Sequence, residues 1–270
     1  MFGYDVRSQL WRDLRFWLHL EEQKWPDWIY VVRHGLSDAN VARDAAEEAG
    51  RSEIGVSIRD ASVSLAPVGW EQGEALGRWI GKLPPQQRPT VILVSPYLRA
   101  VQTSEAILTG AGLSKNELVY VIDERLREKE FGILEGLTKQ GIAQKFPVEF
   151  ARRQEWGKFH YRPPGGESWC DVILRLRSII ETITRDYAGE RVMIVCHSVV
   201  VQCFRYLFER MDEEQILQLD KAHDVANCSA TIYRFDRYAG KRGKLLLQQP
   251  YFLAPGVVST NPKDMPPPKH

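Results

Sequence analysis

Cysteine is scarce in this chain of 270 residues: the four present, Cys170, Cys196, Cys203 and Cys228, are scattered with no Cys-x-x-Cys pair. That spacing argues against a disulfide framework or a zinc site and suits reduced core thiols. Excess charge is lacking as well, since 36 Lys and Arg stand against 35 Asp and Glu, a formal net charge of +1. Such a balance gives no support for a broad nucleic-acid or membrane-surface footprint, although a local basic pocket can sit inside it. No segment approaches the ~20 apolar residues of a membrane span. The N-terminus carries acidic residues and lacks a compact apolar stretch ending in small residues, so no signal peptide is expected. Internal repeats are absent. These absences leave a soluble chain expected in the cytoplasm, with neither nucleic acid nor membrane among its partners.

What is present is an alternation of apolar runs and amphipathic segments. Val91-Ile92-Leu93-Val94 and Val192-Met193-Ile194-Val195 are short apolar runs of the kind that form strands buried on both faces, and the β-branched and aromatic runs Ile29-Tyr30-Val31-Val32 and Val119-Tyr120-Val121-Ile122 are expected to form two further strands. Ala230–Phe235 alternates and is expected to close the sheet. Helices are expected after Leu65-Ala66-Pro67-Val68-Gly69 until Pro84-Pro85 breaks them, from near Leu98, over a polar stretch from Ile142 to His160, and from Ser168 to about Tyr187. Strands alternating with helices imply an α/β fold, a mostly parallel sheet covered on both faces as a three-layer α/β/α sandwich. Leu10, Leu14, Trp17 and Leu18 fall at helical spacing between Asp5 and Gln23, and from Pro255 onward Pro, Lys and Asn dominate. The expected organisation is therefore an amphipathic N-terminal extension over 1–27, one domain over 28–253, and a Pro-rich tail over 254–270. The extension suits packing on the domain surface, a homodimer contact or a flap over a site.

Chemistry-bearing residues cluster at the strand ends. Arg33 and His34 follow the first apolar run, Arg99 comes just after the second, Glu128 shortly after the third, and His197 follows the fourth. In a parallel sheet these positions converge on the carboxyl edge, where α/β sheets bind ligands. Arginine suits a phosphate because its planar fork matches two oxygens and stays charged. Histidine can attack phosphorus because neutral imidazole is abundant at pH 7. A carboxylic acid can protonate a leaving alkoxide if burial raises its pKa. Each residue alone has a plainer role: a satisfied structural histidine, a solvent-facing arginine, or a glutamate in the charged run Asp123–Glu130. Their joint placement at the strand ends outweighs those readings.

The ordered motifs resemble the histidine phosphatase superfamily, the phosphoglycerate mutase-like proteins. Arg33-His34-Gly35-Leu36-Ser37-Asp38-Ala39-Asn40 is similar to its RHG-x-S-x-x-N segment, and Leu65 through Gln72 to its L-[ST]-x-x-G-x-x-Q segment. Ser95 through Thr103 is similar to S-x-x-x-R-A-x-x-T, and Glu128 through Gly136 to the acid-bearing E-x-x-x-G-x-x-E-G piece. Gly165-Gly166-Glu167-Ser168 and Val195-Cys196-His197-Ser198 complete the set. The resemblance implies a phosphoglycerate mutase-like fold, with His34 as the phosphorylated nucleophile and Arg33, Arg99 and His197 completing a phosphate pocket. It further implies Glu128 as general acid and then base, and Asn40 and the backbone amide of Ser198 as donors to the phosphoryl oxygens. It implies no cofactor and no metal, because Arg and His supply the positive field.

Departures from the family pattern bear on the activity. Leu36 replaces an acidic or amide residue, Ser198-Val199 replaces the Gly-rich pair of the glycolytic mutases, and the region from Glu128 to Gly165 is shorter than the mutase cap. By contrast, Phe146–Arg153 with Tyr161-Arg162-Pro163 is similar to the phosphatase branch, including the bisphosphatase module of the bifunctional fructose-2,6-bisphosphate enzyme. In the family this insertion lines the pocket mouth, so among Arg152, Arg153, Lys158, His160 and Arg162, Arg153 and Arg162 are expected to bind a second anionic group of the substrate. The expected function is hydrolysis of small-molecule phosphate monoesters through a phosphohistidine, by a metal-independent histidine acid-type phosphomonoesterase. A phosphoglycerate mutase or related phosphotransferase, and a non-catalytic module recognising phosphorylated partners, are the alternatives.

Overall fold

The computed structural model describes residues 23–259. The amphipathic segment expected from Asp5 to Gln23 therefore lies almost wholly outside the described residues, as do positions 260–270 of the Pro-rich tail. Six strands form one mixed sheet: β1 Trp28–Arg33, β2 Val91–Val94, β3 Val119–Ile122, β4 Arg191–Cys196, β5 Ala230–Asp236 and β6 Lys244–Phe252. Their order is β3-β2-β4-β1-β5-β6. The first four strands in that order pair in parallel, and β5 runs antiparallel to both β1 and β6.

Eight α-helices surround the sheet among the described residues: α1 Asp38–Glu48, α2 Pro67–Gly81, α3 Leu98–Ala111, α4 Lys139–Lys145, α5 Pro147–His160, α6 Trp169–Asp186, α7 Ser198–Glu209 and α8 Glu213–Ala222. Side chains alternate across each strand and so split the core in two. Ile29, Val31, Leu93, Val192 and Ile194 pack with Trp169, Leu176, Val200 and Phe204 of α6 and α7. Tyr30, Val32, Ile92, Val94, Met193 and Val195 pack with Leu76, Ile80, Ala100 and Ile107 of α2 and α3. This is the three-layer, mainly parallel arrangement implied by the alternation of strands and helices. No helix among the described residues is long and apolar enough to cross a membrane.

Three sequence expectations need correction. Ala230–Phe235 does not close the sheet, because β6 adds an outer strand; its Pro250 is tolerated there since an edge strand need not donate on its open side. Nor does β5 alternate: its first four residues are all buried, covered on both faces. The polar stretch to His160 is two helices rather than one, separated at Phe146 where Pro147 takes the first helical position of α5. The second of these helices is itself kinked at Gly157, where φ is +74°.

Helices α2 and α3 approach closely because glycine lines their contact. A Cβ on Gly77 would stand 2.1 Å from the Ile107 carbonyl oxygen and 2.9 Å from Gly110 Cα. Alanine has the better intrinsic helix propensity by about 1 kcal/mol, but backbone cannot yield as a flexible side chain does. Gly77→Ala should therefore destabilise the protein by roughly 1–3 kcal/mol. Thermal unfolding checks this, and a midpoint equal to or above that of the parent would contradict the packing.

Candidate active site

The parallel register brings the strand ends together. Arg33 pairs with Cys196 across β1 and β4, and Val94 with Val195 across β2 and β4, so the residues that follow emerge side by side. His34 and His197 are both buried, with ring centroids 5.2 Å apart and an interplanar angle of 61°. The turn after β1 is tight against the start of α2. A Cβ on Gly35 would lie 2.6 Å from the Gly69 carbonyl oxygen, which explains why glycine follows the histidine and why Gly69 opens the next motif. Gln72 braces the same turn, accepting from Leu36 N at 2.8 Å and donating to Val258 O at 2.8 Å.

Hydrogen bonds assign the imidazole roles. His34 Nδ1 lies 2.7 Å from the Gly35 carbonyl oxygen, which can only accept. The proton therefore resides on Nδ1 and the Nε2 lone pair is available. Burial, then the guanidiniums of Arg99 and Arg33, hold this imidazole well below the ordinary histidine range, in its neutral nucleophilic form. Burial, then Arg99 and His34, do the same to His197. His197 Nε2 meets Ser95 Oγ at 2.7 Å, whereas its buried Nδ1 has no partner among the described residues. A buried polar atom left so is unfavourable unless a ligand meets it.

Arg33, His34, Asn40, Arg99, Glu128, Arg153 and Ser198 all line one cleft of about 640 Å³. Asn40 belongs to a capping box at the start of α1: Ser37 Oγ accepts from Asn40 N, and Asn40 Oδ1 accepts from Ser37 N at 3.1 Å. Asn227 Nδ2 also donates to Asn40 Oδ1, at 3.3 Å, leaving the Asn40 amide nitrogen as the donor for the cleft. Ser198 opens α7, where first-turn backbone N–H groups have no acceptor within the helix and favour an anion. Glu128 is half-buried and receives Lys129 N at 2.8 Å. Burial raises its carboxyl above the usual range against the opposing pull of that hydrogen bond, Arg99 and Arg175.

Arg99 is more elaborately held than its motif suggests. Nη1 donates to the Asp60 carbonyl at 2.7 Å and to Oδ1 at 3.1 Å, and Nη2 donates to Oδ2 at 2.9 Å. Asp60 thus occupies the distal edge of the fork, leaving the Nε side toward the cleft. No sequence signal marks Asp60. Two other positions, Ser95 and Thr103, were motif residues without an assigned job: Ser95 holds His197, and Thr103 Oγ1 receives Gly35 N at 3.0 Å and donates to Arg99 O at 2.6 Å.

The basic residues of the α5 segment separate. Arg153 and Lys158 line the cleft. Arg162 does not: it is exposed and forked onto Asp171, the carboxylate of the α6 capping box, so it is occupied at the helix end away from the cleft. Arg152 pairs with Glu149 at 2.8 Å and His160 with Glu213 at 2.8 Å. Arg43 and Lys139, not singled out by sequence, join Arg153 in the lining.

Comparisons with known proteins accord with this geometry. The family described as the histidine phosphatase superfamily (branch 1) matches residues 29–245. A 6-phosphofructo-2-kinase/fructose-2,6-bisphosphatase of Aquarana catesbeiana is 30% identical over 212 residues, 77% of this chain and 38% of that protein. Human isoform 4 of that enzyme is 28% identical over 209 residues, with the same two coverages. The chain thus spans 38% of the length of these curated relatives. Among solved structures, Bacillus stearothermophilus YhfR is 25% identical with a TM-score of 0.62, covering 82% of this chain and 96% of that one. A mycobacterial glucosyl-3-phosphoglycerate phosphatase complexed with VO3 shares the fold at 23% identity and a TM-score of 0.61, covering 83% and 98%.

Proposed function

The chain belongs to the histidine phosphatase superfamily, branch 1, and from that premise we propose that it hydrolyses small-molecule phosphate monoesters through a phosphohistidine on His34. The carrying observation is that the His34 imidazole, its ring centroid 5.2 Å from that of His197, belongs to a residue lining the same cleft as Arg33, Arg99 and Glu128. In the first step His34 Nε2 attacks phosphorus, the bond to the ester oxygen breaks, and the Glu128 carboxylic acid gives its proton to the departing alkoxide. Arg33, Arg99, His197 Nδ1, the Asn40 amide and Ser198 N stabilise the equatorial oxygens. In the second step the Glu128 carboxylate takes a proton from water, whose oxygen displaces the imidazole and releases phosphate.

The phosphatase relatives support hydrolysis over transfer. A screen of phosphate monoesters, run beside a mutase assay with 3-phosphoglycerate and its bisphosphate primer, tests the reading. Release of inorganic phosphate without isomerisation is expected; isomerisation alone would replace hydrolysis by transfer. We place the hydrolytic domain over residues 28–253.

Arg153 supports a substrate with a second anionic group, since its guanidinium lines the cleft with no ion pair or hydrogen bond to a described residue. Arg153→Ala should raise KM for a two-anion substrate about tenfold more than for an aryl phosphate, the effect of about 1.4 kcal/mol of binding. Arg162→Ala, away from the cleft, should shift the two alike. Equal changes with Arg153→Ala would remove that residue from substrate contact.

A further inference from the structure

Glu167, in the Gly165-Gly166-Glu167-Ser168 motif, carries no role in the mechanism above, and neither does Arg175, two turns into α6. The two form an ion pair at 3.0 Å, with side chains only 10% and 12% exposed, and neither lines the cleft. Desolvation offsets much of the attraction in so deep a pair, so stability alone is a poor account of it.

What the pair holds is the loop that bears Glu128. Residues 127–131 form neither helix nor strand, so their backbone polar groups need partners from elsewhere. Arg175 Nη2 donates to the carbonyl oxygen of Glu128 itself at 3.3 Å, and Nη1 donates to that of Arg125 at 2.5 Å. The same guanidinium forks onto the Glu167 carboxylate, through Nε at 3.0 Å and Nη2 at 3.1 Å. Glu167 in turn clasps Glu130 twice: its Oε2 accepts from Glu130 N at 3.1 Å, and its own N–H donates to Glu130 O at 2.9 Å. A Cβ on Gly166 would stand 2.6 Å from that Glu130 oxygen, so the motif needs glycine where the two loops meet. The backbone is thus pinned at Glu128 and on both sides of it, while the Glu128 side chain is left to the cleft.

We propose that Arg175, together with Glu167, is a positioning residue that fixes this loop so that the Glu128 carboxyl can reach the departing oxygen. The inference rests on the phosphomonoesterase reading and adds to it the support on which its acid depends. Proton transfer needs the acid within hydrogen-bond reach, and a displacement of about 1 Å can cost about 10²-fold in rate. Arg175 acts through its charge as well. The charged and titratable groups acting on the Glu128 carboxyl are Arg33 on β1, Arg99 on α3, Arg175 on α6, its chain neighbour Lys129, and the thiols of Cys196 and Cys203 on β4 and α7. Burial pushes both thiols up and keeps them neutral. Burial also raises the Glu128 carboxyl, against which Arg99 and then Arg175 draw it down, so removing the Arg175 charge raises it further.

The test compares kcat/KM for phenyl phosphate with kcat/KM for p-nitrophenyl phosphate in the parent, E128Q, R175M and R175K. Phenolate is the more basic leaving group and depends more on the acid, whereas two esters of similar size share their phosphate contacts, which cancel in the ratio. E128Q sets the scale. The ratio of phenyl to p-nitrophenyl ester should fall about tenfold in R175M, part of the loss seen on removing the acid itself. In R175K it should fall at least about threefold, because a single ammonium cannot span Glu167 and both carbonyls. The alkaline limb of phenyl phosphate hydrolysis should move to higher pH in R175M, since the acid form then persists further, and should stay at the parent position in R175K, which keeps the charge. If R175M does not fold, the ratio in R175K decides the matter alone. Equal losses on the two esters in either variant, as a merely structural role would give, overturn the proposal while leaving phosphatase activity standing. An R175M limb at the parent position, or an E128Q ratio equal to that of the parent, overturns it too. A parent that hydrolyses neither ester overturns the phosphomonoesterase reading, and this inference with it.

Discussion

His34→Ala should lower kcat roughly ten-thousand-fold or more, because no other described group can replace an in-line nucleophile that forms the covalent intermediate. The loss is expected for activated and unactivated esters alike, since both pass through phosphorus bonded to the same nitrogen. The parent, quenched in turnover, should carry acid-labile phosphate, and the variant none. His34 sits with its backbone N donating to Cys196 O at 2.9 Å and its carbonyl receiving Cys228 N at 3.1 Å, bonds that the substitution keeps. Folding should therefore survive, and a circular dichroism spectrum matching the parent would separate lost chemistry from lost structure. Turnover retained at a tenth of the parent rate or better would falsify the phosphohistidine route. The neutral state of the buried imidazole also sets a pH expectation: with its pKa held well below the usual range, His34 should not limit activity on the acid side near neutrality.

Glu128→Gln should discriminate among leaving groups. A glutamine fills the same space but cannot give up a proton, so general acid catalysis, commonly worth about 10²–10⁴ in rate, is lost. An alkyl phosphate, whose alkoxide must be protonated as it departs, should lose the full factor. A p-nitrophenyl ester, whose leaving group is stable as an anion, should lose much less in the first step, and its phosphoenzyme should accumulate because the second step lacks its base. The sign of the pH effect follows from the raised carboxyl. The acid form is present below the folded pKa and declines above it, so alkyl phosphate hydrolysis should fall on the alkaline side, and the variant should flatten that limb. Equal loss on the two ester classes, with no change in the pH profile, would remove Glu128 from proton transfer.

The core and the strand-end chemistry were readable because both are local properties of the chain. A parallel strand buried on both faces must be apolar throughout, so Val91–Val94 and Val192–Val195 announce themselves within four residues. The turn after such a strand lies at the carboxyl edge whatever else the fold does, which placed Arg33, His34 and His197 together once the strands were parallel. By contrast β6 was missed: its Pro250 and half-exposed pattern resemble a loop, and only pairing with β5 makes it a strand.

Residue types, their order and the edge they share were thus set by short-range hydrophobic pattern and motif spacing. Which of several similar side chains faces the cleft was set by long-range packing instead. Arg153 and Arg162 lie in one basic segment, yet the capping carboxylate of α6 takes Arg162 and leaves Arg153 to the cleft. Asp60 reaches Arg99 across 39 positions, and Lys129 is buried although it sits in a run of charges that reads as solvated. Charge pairing and desolvation act through space, and a partner far away along the chain leaves no periodic trace in the sequence.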